Sequence, residues 1–150
     1  REELLKGLHY ETIQNVAARA EVPGKGIGYV AQKDLEVGTC VLLDTPVAFG
    51  SAGGNKLNWR YKTLPPSSSL RRRFDVDVLT LTTSKPSKKL AQLFDRIAEN
   101  NELYVESSGG YALFPELARV NHSCQPNLHV HVTPSWALAK TTRKVLRGQE

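Results

Sequence analysis

Asn121-His122-Ser123-Cys124-Gln125-Pro126-Asn127 is the stretch on which the reading of this chain turns. Six of its seven residues are polar or proline, and it follows the apolar run from Phe114 to Val120. Asparagine offers both a donor and an acceptor, and neutral histidine one of each. Such a cluster can hold a zwitterionic small molecule through several oriented hydrogen bonds. A purely structural Asx-rich turn is the competing explanation. A Cys-His nucleophilic pair is disfavoured, because His122 and Cys124 sit two apart and no third orienting partner is evident. A self-contained zinc site is disfavoured as well: Cys40, Cys124, His122, His129 and His131 show none of the paired close spacings of structural zinc. His129 and His131 are expected to line one face of a strand.

Toward the N-terminus lies a second constellation, Pro23-Gly24-Lys25-Gly26-Ile27-Gly28-Tyr29-Val30-Ala31. Its three glycines in five positions allow either a close approach of backbone to a ligand or a hairpin turn that needs positive φ. Taken alone, the stretch leaves both readings open. It is not a dinucleotide-binding fingerprint, because the spacing is wrong and a strand pattern, rather than a helix, follows.

Between and around these motifs the pattern is mainly β. Ile27 to Ala31 and Thr39 to Asp44 are short β-branched runs separated by the turn-like stretch Lys33 to Gly38, and they predict two neighbouring strands. From Phe49 to Ser69 the composition shifts to Gly, Ser, Asn and Pro, with Gly53-Gly54 and Pro65-Pro66 marking an insertion or loop. Leu90, Leu93, Phe94 and Ile97 recur at helical spacing, with Ser87 as a cap for that helix. Leu128 to Thr133 and Trp136 to Lys140 predict two strands joined through Pro134-Ser135. No internal repeat of fixed period is present.

The chain has 150 residues, a length suited to one domain with one core. With 40% hydrophobic and 23% charged residues its composition is that of a soluble globular protein, and no stretch has the length of a membrane-spanning helix. Two cysteines, Cys40 and Cys124, exclude a disulfide framework and favour a reducing compartment, nuclear or cytoplasmic. The start, Arg1-Glu2-Glu3-Leu4-Leu5-Lys6, has no apolar core of a signal peptide. The absence of methionine and the stop after the turn-like Arg147-Gly148-Gln149 read as an excerpt. Much of the net charge of +5 is concentrated in Arg71-Arg72-Arg73 with Lys85, Lys88 and Lys89. No aromatic-rich recognition motif accompanies it, so a solvated basic loop is expected and direct nucleic-acid binding is disfavoured.

Taken together, the two constellations resemble SET domains. Lys25 to Ala31, then Asp34-Leu35 and Gly38-Thr39, is similar to the opening of such domains. Leu113-Phe114-Pro115 through Asn127 is similar to their closing half. Thr142 to Glu150 resembles the strand that leads into the family's Gly-Glu-Glu turn. Order and spacing agree over roughly residues 10 to 150. The long insert, about 50–110, and the Phe-Pro before the heptapeptide look most like SMYD-type and fungal SET proteins, without the zinc-binding MYND module. Asp44 stands where relatives usually place glutamate.

The resemblance implies a β-clip-like fold of several small sheets with a pseudoknot and a helical insert, forming a single domain over 1–150. It implies S-adenosylmethionine as cofactor and protein-lysine N-methylation as activity, with a lysine-containing peptide, histone or non-histone, as partner and no membrane. By the same resemblance, Lys25, Gly26 and Ile27 lie against the methyl donor, Tyr29 occupies an aromatic position beside it, and Asn121 with His122 hold its amino-acid and adenine portions. The tyrosine that completes the lysine channel in this family lies beyond Glu150. The alternative is therefore a SET-like binding module without transfer. Cys124 would ligate zinc only together with a C-terminal cysteine cluster absent from this sequence, so no metal is expected.

Overall fold

A computed structural model describes residues 15–51, 97–98 and 100–150 of the chain. It is mainly β: among the described residues eight short strands form three small antiparallel sheets. By their internal contacts the described residues fall into two compact units, the first drawing on 15–44, 119–132 and 137–150, the second on 45–51, 97–98, 100–118 and 133–136.

In the first unit, β1 (Ala17–Val22) and β2 (Gly26–Ala31) form an antiparallel hairpin with Val22 opposite Gly26. Its turn is Pro23-Gly24-Lys25, closed by the Lys25 amide donating to the Val22 carbonyl at 3.0 Å. Gly24 and Gly26 sit at φ 75° and 78°, where a Cβ is disfavoured, so the hairpin explanation accounts for two of the three glycines. β3 (Cys40–Asp44), β7 (Leu128–Val132) and β8 (Ala137–Thr141) make a second sheet in the order β3-β8-β7, with a register shift between Cys40 and Leu42. Ala31, Leu35, Val41, Leu42, Ala139 and Val145 are buried.

Two expectations are corrected here. The runs 27–31 and 39–44 both contain strands, but these are not neighbours: β2 pairs with β1, and β3 with β8. The connection between them turns at Gly38, φ 82°, and is fixed elsewhere. Leu35 bridges Val145, and the Thr141 hydroxyl accepts from the Thr39 amide at 2.9 Å while donating to the Glu36 carbonyl at 2.6 Å.

The second correction concerns the edges of the Gly/Ser-rich stretch. In the second unit, β4 (Ala48–Ser51), β5 (Leu103–Val105) and β6 (Gly110–Leu113) form a sheet in the order β4-β6-β5. Positions 49–51 of that stretch are therefore strand, not loop. A Cβ on Gly110 would collide with the Gly50 carbonyl oxygen, so these glycines permit strand approach rather than mark a loop. Val105, Ala112, Leu113 and Phe114 are buried in this unit, as is Ile97 in the helical residues 97–98 and 100–101. The rest of the predicted helical stripe, its Ser87 cap and the 71–73 arginine cluster lie outside the described residues. No helix among the described residues is long and apolar enough to cross a membrane.

Candidate functional site

Three segments far apart in sequence meet in the first unit. The hairpin turn contributes Lys25. The heptapeptide, entered through the 3-10 turn Leu117–Arg119, contributes Asn121 and Asn127. The third is the stretch after β8, whose course is fixed by main-chain pairing. The Gly148 amide donates to the Ala31 carbonyl at 2.9 Å, the Ala31 amide donates to the Gln149 carbonyl at 2.8 Å, and Leu35 and Val145 exchange bonds of 2.8 and 3.0 Å. Gly148, at φ 85°, supplies the turn that brings Glu150 back to the heptapeptide.

At the meeting point the Glu150 carboxylate accepts from Lys25 Nζ at 2.6 Å and from Asn121 Nδ2 at 2.7 Å. The Glu150 main-chain carbonyl accepts from Asn127 Nδ2 at 2.7 Å. Gly28 faces this group: a Cβ there would stand 2.5 Å from Asn121 Nδ2 and 3.1 Å from Glu150 Oε1. The third glycine of the motif thus makes room for the heptapeptide. Burial acts to raise the Glu150 pKa, but the hydrogen bonds from Lys25 and Asn121, with the Lys25 charge, outweigh it and hold the carboxyl below its ordinary value.

Beside this group is a cavity of about 120 Å³ whose lining includes Lys25, Tyr29, Asn121, Ser123, Arg143 and Glu150. Arg143 is held by Nη2 donating to the Gln125 carbonyl at 3.0 Å. A smaller, mostly apolar cavity of about 40 Å³ shares Tyr29, Asn127 and Glu150 with it. Beside the Lys25–Glu150 pair, the Arg143 guanidinium, the side-chain amides of Asn121, Gln125 and Asn127 and the Tyr29 ring around one cavity suit a ligand that carries the polar groups of an amino acid together with a planar apolar part.

Of the residues expected at the cofactor, Lys25, Tyr29 and Asn121 line the larger cavity; Gly26, Ile27 and His122 do not. Ile27 is 50% exposed on the hairpin. His122 is exposed, with Nε2 3.6 Å from the Cys124 sulfur. Among the described residues no three His, Cys, Asp or Glu side chains are grouped as metal ligands. Burial pushes the Cys40 thiol up, which makes it a poor nucleophile. His129 and His131 are both exposed on β7. Glu150 is not among the expected site residues, nor are Gly28, Asn127 and Arg143. Glu150 ends the stretch from Thr142 that resembles the lead into the family's Gly-Glu-Glu turn, and that resemblance could have pointed to it.

A crystal structure from Plasmodium falciparum, named a "putative histone methyltransferase", superposes on 91% of this chain and 90% of its own, with TM-score 0.51 and 10% sequence identity. The chain shares the overall fold of that structure. At that identity the likeness reaches the fold alone, and it is coarse. No family model and no curated protein matches the chain.

Proposed function

We propose that this chain is an S-adenosylmethionine-dependent protein-lysine N-methyltransferase domain of the SET type. The observation that supports it most is the convergence of Lys25, Asn121 and Asn127 on Glu150 beside one cavity, since these are the two motifs that carry the SET resemblance and the turn that follows them. The likeness in fold to the Plasmodium falciparum structure supports the same reading.

When bound, the cofactor supplies a methyl group on a sulfonium centre. The chain's own residues bind and orient. Tyr29 offers a ring face to the planar part, Asn121 an amide to the amino-acid part, and Arg143 a guanidinium to a carboxylate. The resemblance implies further contacts from the backbone at Gly26 and Ile27 and from His122, none of which lines this cavity. Catalysis by such a site rests on holding a deprotonated lysine amine in line with the methyl donor, so proximity and electrostatics are the main contributions. The partner is a lysine-bearing protein, histone or non-histone, in the nucleus or the cytoplasm.

Isothermal titration of S-adenosylmethionine and its demethylated product into the folded protein tests this reading. Saturable binding that is lost in a folded Asn121→Ala variant is expected. Absence of binding by a protein shown to be folded by circular dichroism would remove it.

A further inference from the structure

Glu150 stands at the centre of the pocket's hydrogen bonding, and its chemistry constrains the groups around it. An ionised carboxylate only accepts, so the asparagine end that faces it must be the NH₂. Asn121 therefore gives Nδ2 to Glu150 at 2.7 Å and keeps its carbonyl oxygen for a ligand. Lys25 gives Nζ to the other carboxylate oxygen at 2.6 Å, so its charge is largely answered within the protein. Asn127 fixes the main chain of the same residue, and Gly28 leaves no side chain to push Asn121 aside.

We infer that Glu150 is a positioning residue that orients the Asn121 amide, so that the pocket presents a carbonyl acceptor and selects ligands bearing an ammonium or N–H donor at that point. This deepens the reading given above and rests on it: in S-adenosylmethionine the donor is the α-amino group of the amino-acid part. A surface ion pair with no such role would contribute little to stability and nothing to selectivity. A residue that orients Asn121 instead changes which ligand is preferred.

The test compares the wild type with Glu150→Gln and Glu150→Ala, each checked for folding by circular dichroism, in titrations with S-adenosylmethionine and with its analogue lacking the α-amino group. The wild type is expected to prefer the amino-bearing ligand by roughly tenfold or more, the scale of one hydrogen bond to a charged group. Both variants are expected to lose that preference while keeping their affinity for the deaminated analogue. The side-chain amide introduced by Glu150→Gln can turn either of its ends toward Asn121, so that variant's loss of preference separates orientation from mere contact. A preference unchanged in both variants overturns the inference and leaves the cofactor reading standing. If the wild type binds neither ligand, the cofactor reading falls, and the side-chain amide NMR signals of Asn121 decide the positioning role alone. They shift in Glu150→Gln if the carboxylate holds them, and their staying in place overturns it.

Discussion

One methyl group at position 28 probes how tightly the site is assembled. Gly28 is not at positive φ, so its backbone conformation accepts alanine, and the obstacle is the 2.5 Å approach of the new Cβ to Asn121 Nδ2 with Val22 Cγ2 at 3.1 Å. Asn121 must then give way. Gly28→Ala is expected to fold and to bind S-adenosylmethionine at least about tenfold more weakly, since the displaced amide loses its hydrogen bond. Titration beside a circular dichroism melt checks this; unchanged affinity would mean that Asn121 does not hold the ligand. Glu150 gives a pH signature. Folding lowers its proton affinity, so the stabilisation from its contacts is fully present above the ordinary glutamate range and is lost as pH falls through the depressed folded value. The Lys25 side chain is 46% exposed and that of Glu150 26%, so the effect is small, under about 1 kcal/mol. Melts between neutral and acid pH should show this loss in the wild type and a weaker one in Glu150→Gln.

At the scale of elements, one hydroxyl helps tie the β2–β3 connection to β8. Thr141 is 3% exposed in β8, yet its Oγ1 serves both the Thr39 amide and the Glu36 carbonyl. Thr141→Val keeps the shape and removes that partner, while the Thr39 amide and hydroxyl still donate to the Glu36 carbonyl, so a loss of about 0.5–1.5 kcal/mol is expected, read from the urea midpoint. A midpoint shift well under that range would show that water replaces the hydroxyl. The strands legible in the sequence, 26–31, 40–44 and the β7–β8 hairpin, are rich in β-branched residues or bounded by turn residues. β1 carries no such signal, because Ala-Ala-Arg-Ala-Glu-Val has low strand propensity. It is a strand because every residue from Ala17 to Val22 has a partner in β2. β4 reads as loop because its glycine serves close strand approach, a requirement seen only once Gly50 and Gly110 are adjacent. Sheet order has no local signal at all, since β3 pairs with a strand about a hundred positions later.

For the whole molecule, the candidate site is half legible for the same reason. Lys25 and Asn121 sit inside motifs that can be read as short strings, whereas the carboxylate that joins them is 125 positions from one and 29 from the other. Such a pocket couples ligand binding to the integrity of the unit that carries it, because its walls come from the hairpin, the heptapeptide and the C-terminal turn together. A ligand that binds only the assembled form stabilises it by RT ln(1 + [L]/Kd). The amides of Ala31, Thr142 and Gly148 report that assembly, since they donate across these segments to Gln149, Asn127 and Ala31 respectively. With S-adenosylmethionine at about a hundred times its Kd, their hydrogen-exchange protection should rise by up to about a hundredfold, equivalent to about 2.7 kcal/mol. The same concentration should leave a folded Asn121→Ala protein unchanged. Equal protection in both proteins would place any bound ligand away from this meeting point. A rise at Gly148 without one at Thr142 would mean that the turn closes on the ligand while the heptapeptide stays apart, contrary to a site built from all three segments.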